Sequence, residues 1–248
     1  SVILDGTGAS FTDGEAILTI KNSSYVEISG FEIRNNLSGA GINVLSENKY
    51  CDNIRISNCI IHDTKASGIY AGSSNLSVTG CEIYNTCLNN QNRALGDNGA
   101  WHAAIEYYFK YNYSIYSGEF VWQYGTISNN KIHNNWGEGL KTTRLSECKI
   151  TDNKIYNNYS TAILLDNTKN VLVYNNYIYT TNDDYNRMTS GYSRPMEGLA
   201  FSYGKNDFMA NPIPENIAVY NNLFVRTSAP FRWKCDAANV IHYNSYRN

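Results

Sequence analysis

Cys148-Lys149-Ile150-Thr151-Asp152-Asn153-Lys154-Ile155, followed 23 residues later by Val171-Leu172-Val173-Tyr174-Asn175-Asn176-Tyr177-Ile178, decides how this chain of 248 residues folds. Both stretches read apolar-x-apolar-x-x-Asn-x-apolar. The same rhythm recurs at Val26-Glu27-Ile28 with Ile33, Ile54-Arg55-Ile56 with Ile61, Leu76-Ser77-Val78 with Ile83, and Ile217-Ala218-Val219 with Phe224. Two imperfect copies open on Gly125, ahead of Ile127 and Ile132, and on Asn239, ahead of Ile241 and Tyr246. Counted from the second apolar residue, the eight copies step by 28, 22, 49, 23, 23, 46 and 22 residues. A fixed period of this size is the signature of a stacked solenoid, and the two long steps read as single turns carrying extra loops.

Alternation within each copy has period 2, and the residues are the Ile, Val, Tyr and Thr that suit a pleated surface, so the copies are strands. A second strand precedes each copy and usually opens on a small residue, as in Gly41-Ile42-Asn43-Val44, Gly68-Ile69-Tyr70-Ala71, Ala104-Ile105-Glu106-Tyr107, Gly139-Leu140-Lys141-Thr142 and Gly198-Leu199-Ala200-Phe201. Short strands with no crossover helices bury their apolar positions by coiling round one core, each winding pairing with the next at about 4.8 Å. Three residues past the second apolar position stand Phe31, Cys59, Cys81, Asn130, Asn153, Asn176, Asn222 and Asn244. An amide both donates and accepts, so five asparagines in register predict a hydrogen-bonded ladder at one corner of the coil.

These features resemble the right-handed parallel β-helix proteins, a group that includes pectate lyases, chondroitinase- and alginate-lyase-like enzymes and polygalacturonases. The resemblance implies an all-β, right-handed parallel β-helix of eight or more rungs over residues 1–248, with loop insertions near 86–103, 109–122, 181–197 and 203–214. It specifies architecture and leaves activity open, because one coil serves lyases, hydrolases, epimerases and adhesins. It also implies an extracellular or cell-surface location and a polysaccharide ligand.

Composition agrees. A net charge of −2 with 17% charged residues indicates no nucleic-acid-binding surface, and no apolar stretch is long enough to cross a membrane. Both ends of the stack look cut, which predicts capping residues or further domains in a longer parent protein, or a neighbouring subunit. The six cysteines define no disulfide framework. Cys59 and Cys81 hold one position on successive rungs, and their parallel side-chain directions argue against a bridge.

The insertions should rise as walls around rungs with short turns, leaving a groove suited to a polymer. Outward positions on its floor are Lys141 and Thr143 on one rung, then Leu164 and Asp166. Glu106 and Tyr108 flank them on one side, Ala200 and Ser202 on the other, with Arg232 and Lys234 beyond. Trp101 and His102, at the entry to the Glu106 strand, are candidate sugar contacts, since an aromatic face gives a sugar a flat apolar platform.

The lyases that the chain resembles cleave uronate polymers by β-elimination, which needs a base beside the carboxylate and positive charge or calcium to neutralise it. On that reading Lys141 is the base, Arg232 or Arg144 the neutraliser, and Glu106 and Asp166 calcium ligands. Glu106, one rung from Lys141, would however hold the lysine protonated. A second reading is a glycoside hydrolase with paired carboxylates drawn from Glu106, Asp166, Glu138 and Glu197, although Glu106 and Asp166 stand two rungs, roughly 10 Å, apart. A third is a non-catalytic carbohydrate-binding or scaffold module.

Overall fold

The computed structural model describes residues 2–12, 14–96, 102–107, 123–202, 214–233 and 238–247, excepting the side chains of 233 and 238–242. Trp101, Tyr108 and Lys234 lie outside the described residues. Among the described residues the chain coils in parallel windings whose strands stack into three successive sheets. The first sheet stacks Leu18–Lys21, Ile42–Leu45, Ile69–Ala71, Ala103–Tyr107, Glu138–Thr143, Thr161–Asp166, Glu197–Ser202 and Phe231–Trp233. The second runs from Ser24–Ser29 to Lys169–Tyr174, and the third from Val2–Asp5 to Tyr177–Tyr179. The strand Glu215–Val225 joins these two sheets, pairing with Lys169–Tyr174 through its first half and with Tyr177–Tyr179 through its second. Among the described residues no helix is long and apolar enough to cross a membrane.

In-register pairing stacks like on like. Ile33, Ile61, Ile83, Ile132, Ile155, Ile178 and Phe224 form one buried column. Each such side chain is worth about 1.5–3 kcal/mol when taken from water. The opening residue of a first-sheet strand is small because a Cβ on Gly139 would come within 2.6 Å of the Ala162 carbonyl oxygen and 2.9 Å of Ile155 Cγ2. The fourth copy is imperfect for a comparable reason. Gly125 has a φ of 145°, and a Cβ there would run into the Leu76 carbonyl oxygen.

The asparagine ladder forms as predicted. Asn130 Nδ2 donates to Asn153 Oδ1 at 3.0 Å, Asn153 to Asn176 at 2.9 Å, Asn176 to Asn222 at 2.9 Å and Asn222 to Asn244 at 2.8 Å. Cys59 and Cys81 occupy its upper rungs as free thiols, and the Cys81 thiol reaches the Ile56 carbonyl at 3.7 Å much as Asn130 reaches that of Val78. The eighth copy corrects the sequence reading. Val240 rather than Asn239 pairs with Ile217, because an extra residue between Tyr220 and Leu223 bulges the partner strand and restores register only at Phe224 and Tyr246. A second ladder escaped the sequence reading: at the corner leading back to the first sheet, Thr86 Oγ1 donates to Asn135 and Asn135 Nδ2 to Asn158. The repeated Asn-Asn pairs at 35–36, 134–135 and 157–158 were its signal.

Candidate functional site

The outer face of the first sheet aligns Tyr70, Glu106, Lys141, Leu164, Ala200 and Arg232 in one column. Thr143, Asp166 and Ser202 form a second column two residues further along the strands. Glu106 is the centre of the first. It is 7% exposed, and its Oε2 accepts from Ser67 Oγ at 2.9 Å and lies 3.1 Å from His102 Nδ1, while Oε1 is 3.5 Å from Lys141 Nζ. His102 lies immediately ahead of the strand Ala103–Tyr107, and its ring meets the carboxylate of a residue four further on.

Burial raises the Glu106 carboxyl, but the His102 hydrogen bond, the Lys141 charge and the Ser67 hydroxyl outweigh it and hold the group below its ordinary 4.5. Glu106 is therefore a carboxylate at neutral pH. Lys141 lies beside this carboxylate and faces the sheet surface. Partly exposed His102 sets its Nδ1 against the same carboxylate.

Asp166 does not join this cluster. Its Oδ1 accepts from Ser202 Oγ at 3.0 Å, and it stands two rungs and two residues from Glu106. Among the described residues no three His, Cys, Asp or Glu side chains group together. Arg144 is 3% exposed at the corner ending its strand, with a φ of 60°. Glu138 is buried at the strand entry, and Thr143 is buried in the second column. Glu197 accepts from Thr161 Oγ1 at 3.3 Å and pairs with Arg232.

An open trough along the column is not what the structure contains. Leu164 is 7% exposed and Ala200 is fully buried, so Glu106 and Lys141 at one end are separated from Arg232 at the other. Nor do the described parts of the two insertions stand apart as walls. Arg93 Nη2 donates to the Asp184 carbonyl at 2.8 Å and Nε to that of Asn186 at 3.1 Å, while Leu88 and Tyr185 pack on Cys87, Trp136 and Tyr159. These corner rings would otherwise be exposed, and covering them draws the insertions together. Beside them lies a pocket of about 330 Å³ lined by Arg187, Arg194, Glu197 and Arg232. Arg187 and Arg194 belong to a two-stranded hairpin inside the second insertion.

Residues 110–247, more than half of the chain, match the family described as the right-handed beta helix region. The chain belongs to the right-handed β-helix family. No curated protein matches it. Among solved structures, this β-helix is similar to the A-module of the mannuronan C-5 epimerase AlgE4 from Azotobacter vinelandii, with 12% identity and a TM-score of 0.55 over 91% of this chain and 60% of that one. It is also similar to the Dettilon tailspike protein, with 15% identity and a TM-score of 0.53 over 94% and 55% of the two chains. A GH136 lacto-N-biosidase from Eubacterium ramulus shares 12% identity and a TM-score of 0.51 over 99% and 56%. The β-helix thus spans between half and two thirds of the length of each.

One pH dependence arises from the buried groups of this β-helix. Burial pushes the His133 imidazole below its ordinary 6.5, against the pull of Glu82, whose Oε1 is 3.1 Å from Nε2. Glu106 is likewise depressed below 4.5. In both cases the unfolded chain binds the proton more readily, so stability present above the ordinary value is lost as pH falls beneath it. The melting temperature should therefore decline from about pH 6.5 downward and again below about pH 4.5. Thermal unfolding across that range checks this, with His133→Gln removing the upper step; a profile unchanged by that substitution would contradict it.

Proposed function

We propose that the chain acts on an acidic polysaccharide, removing the proton beside a uronate carboxylate and eliminating the neighbouring glycosidic oxygen. The observation that carries this reading is the Glu106 cluster, in which one buried carboxylate orients His102 and holds Lys141 as a cation. His102 Nε2 takes the proton, and Lys141 neutralises the charge that spreads onto the substrate carboxylate as the carbon–hydrogen bond breaks. The released electron pair forms the carbon–carbon double bond as the carbon–oxygen bond breaks, and the leaving oxygen takes the proton that His102 carries. Glu106 touches no substrate here; it is a positioning residue.

The likeness to a mannuronan epimerase and to a lacto-N-biosidase, both named for glycans, supports a glycan substrate for this coil. Such a polymer is met outside the cell or at its surface, and the chain would work there as part of a longer protein. The separation of Glu106 from Asp166 weighs against paired-carboxylate hydrolysis.

Incubation with polygalacturonate, alginate and chondroitin sulfate is the test. Ultraviolet absorbance of an unsaturated sugar end should rise on one of them and vanish in His102→Ala and Lys141→Ala. No absorbance on any uronate polymer would overturn the reading. New reducing ends without unsaturation would point to hydrolysis, and binding without cleavage to a carbohydrate-binding module.

A further inference from the structure

The bend between the second and third sheets changes within the strand Ala238–Arg247. In the three windings before it, two residues make the bend: Asp152 and Asn153 between Thr151 and Lys154, Asn175 and Asn176 between Tyr174 and Tyr177, and Asn221 and Asn222 between Tyr220 and Leu223. The first of each pair is left-handed, with φ values of 58°, 57° and 55°, and the second belongs to the buried ladder. In the next winding Tyr243 pairs with Tyr220 and Ser245 with Leu223, so Asn244 makes the bend by itself. Asn244 takes the inner place, accepting from the Asn222 backbone N–H at 3.0 Å and from Asn222 Nδ2 at 2.8 Å. The outer place has no residue, and the outer line of amides, in which Asn221 Nδ2 donates to Asn175 Oδ1 at 2.7 Å, ends at Asn221 among the described residues. A shallow cleft of about 560 Å³ opens there, lined by Tyr220, Asn221, Tyr243, Asn244 and Ser245. Tyr174 lies flat on one face of the Tyr220 ring, with centroids 5.1 Å and planes 2° apart, yet Tyr220 is still 37% exposed, and Tyr243 opposite it is 76% exposed.

We infer that this cleft is a sugar-binding site, which takes an uncharged pyranose unit with its C–H face on the Tyr220 ring and its hydroxyls toward Asn221 and Ser245. A tyrosine braced by a stacked neighbour offers a flat apolar surface that is already in place, and the C–H face of a pyranose matches it. Asn221 has its Nδ2 committed to Asn175, so the group it offers at the cleft is Oδ1, an acceptor for a sugar hydroxyl. The Ser245 hydroxyl both donates and accepts, and Tyr243 forms the other wall. Two rings, two amides and a hydroxyl thus suit a ligand that is apolar on its face and hydroxylated at its rim. The bend joins the second and third sheets, whereas Glu106 stands on the first. The site therefore holds the β-helix to a glycan instead of cleaving one, and it does not depend on the elimination.

Titration calorimetry with cellohexaose, xylohexaose, mannohexaose and hexagalacturonate tests this. One of the three neutral oligomers should bind, and Tyr220→Ala and Tyr243→Ala should each weaken it roughly threefold to tenfold, as loss of one ring contact does. Tyr220→Phe should keep the affinity, because the ring face remains. Melting temperatures near that of the parent protein verify the fold of these variants, since both side chains are exposed. Inserting an asparagine between Tyr243 and Asn244 restores a two-residue bend and should abolish binding in a folded protein. Failure of every neutral oligomer to bind overturns the inference, as does unaltered affinity in both alanine variants or undiminished affinity in the folded insertion variant. Tyrosine-dependent binding of hexagalacturonate alone overturns the uncharged ligand. Neutral-sugar binding that survives in His102→Ala, without unsaturated product from the parent, sinks the elimination and spares this site, whereas product formation without neutral-sugar binding does the reverse.

Discussion

Replacing Asn153 with leucine is expected to cost about 2–9 kcal/mol of folding stability, the sum of two or three buried polar groups at about 1–3 kcal/mol each. Asn153 stands in the middle of the ladder. Its Oδ1 accepts from the Asn130 backbone N–H and from Asn130 Nδ2, both at 3.0 Å, and its Nδ2 donates to the Ile127 carbonyl at 3.0 Å and to Asn176 Oδ1. Leucine has nearly the same volume and meets none of these groups. The Asn130 N–H and the Ile127 carbonyl then lie buried with no replacement, since water does not reach a corner where Asn153 itself is 1% exposed. Denaturation in urea reads the effect directly. A loss below about 1 kcal/mol would mean that the corner relaxes and that the ladder contributes no more than an ordinary turn.

Glu106→Gln is expected to lower the elimination rate about a hundredfold to a thousandfold. Glutamine keeps the shape and the hydrogen bond from Ser67, so the strand Ala103–Tyr107 should hold its place. What is lost is the charge. His102 no longer has an anion to stabilise it once it has taken the proton, and Lys141, 3.5 Å away, loses the partner that fixes its ammonium. The split between kcat and KM separates this role from a merely structural one: a positioning carboxylate should lower kcat with KM little changed. The acid step in the melting profile should shrink in the same variant, with Glu82, Asp5 and Glu15, also held below their ordinary values, supplying the remainder. A rate within roughly threefold of the parent would place proton abstraction elsewhere.

The column of Glu106, Lys141, Leu164, Ala200 and Arg232 was legible in the sequence because in-register stacking turns an equal offset from a core residue into a shared line on the surface. Each of the five follows immediately after a core residue, Ile105, Leu140, Ile163, Leu199 or Phe231, and the pairing preserves that offset through four rungs. The asparagine ladder was legible on the same ground. The contact between His102 and Glu106 was not, since residues four apart on a strand stand about 13 Å apart and His102 lies ahead of the strand, where no repeat fixes position. Ser67 arrives from a corner, and Arg187 and Arg194 from an insertion, where no repeat fixes position. The expected trough failed because Ala200 is small enough to be covered completely, a property of its surroundings that alternation does not encode.

A Cβ added at Gly139 or at its counterparts Gly41, Gly68 and Gly198 would meet a neighbouring carbonyl oxygen or core side chain at less than 3.0 Å. A residue gained or lost inside a winding would slide such a glycine away from its neighbour and set a side chain against a carbonyl. Material added at a corner disturbs nothing of the kind, and closing a longer loop costs little. Innovation in this architecture is thereby channelled to its bends: the coil supplies a fixed ruler, and added elements stand in the margins, as the hairpin of Arg187–Thr189 and Tyr192–Arg194 does here.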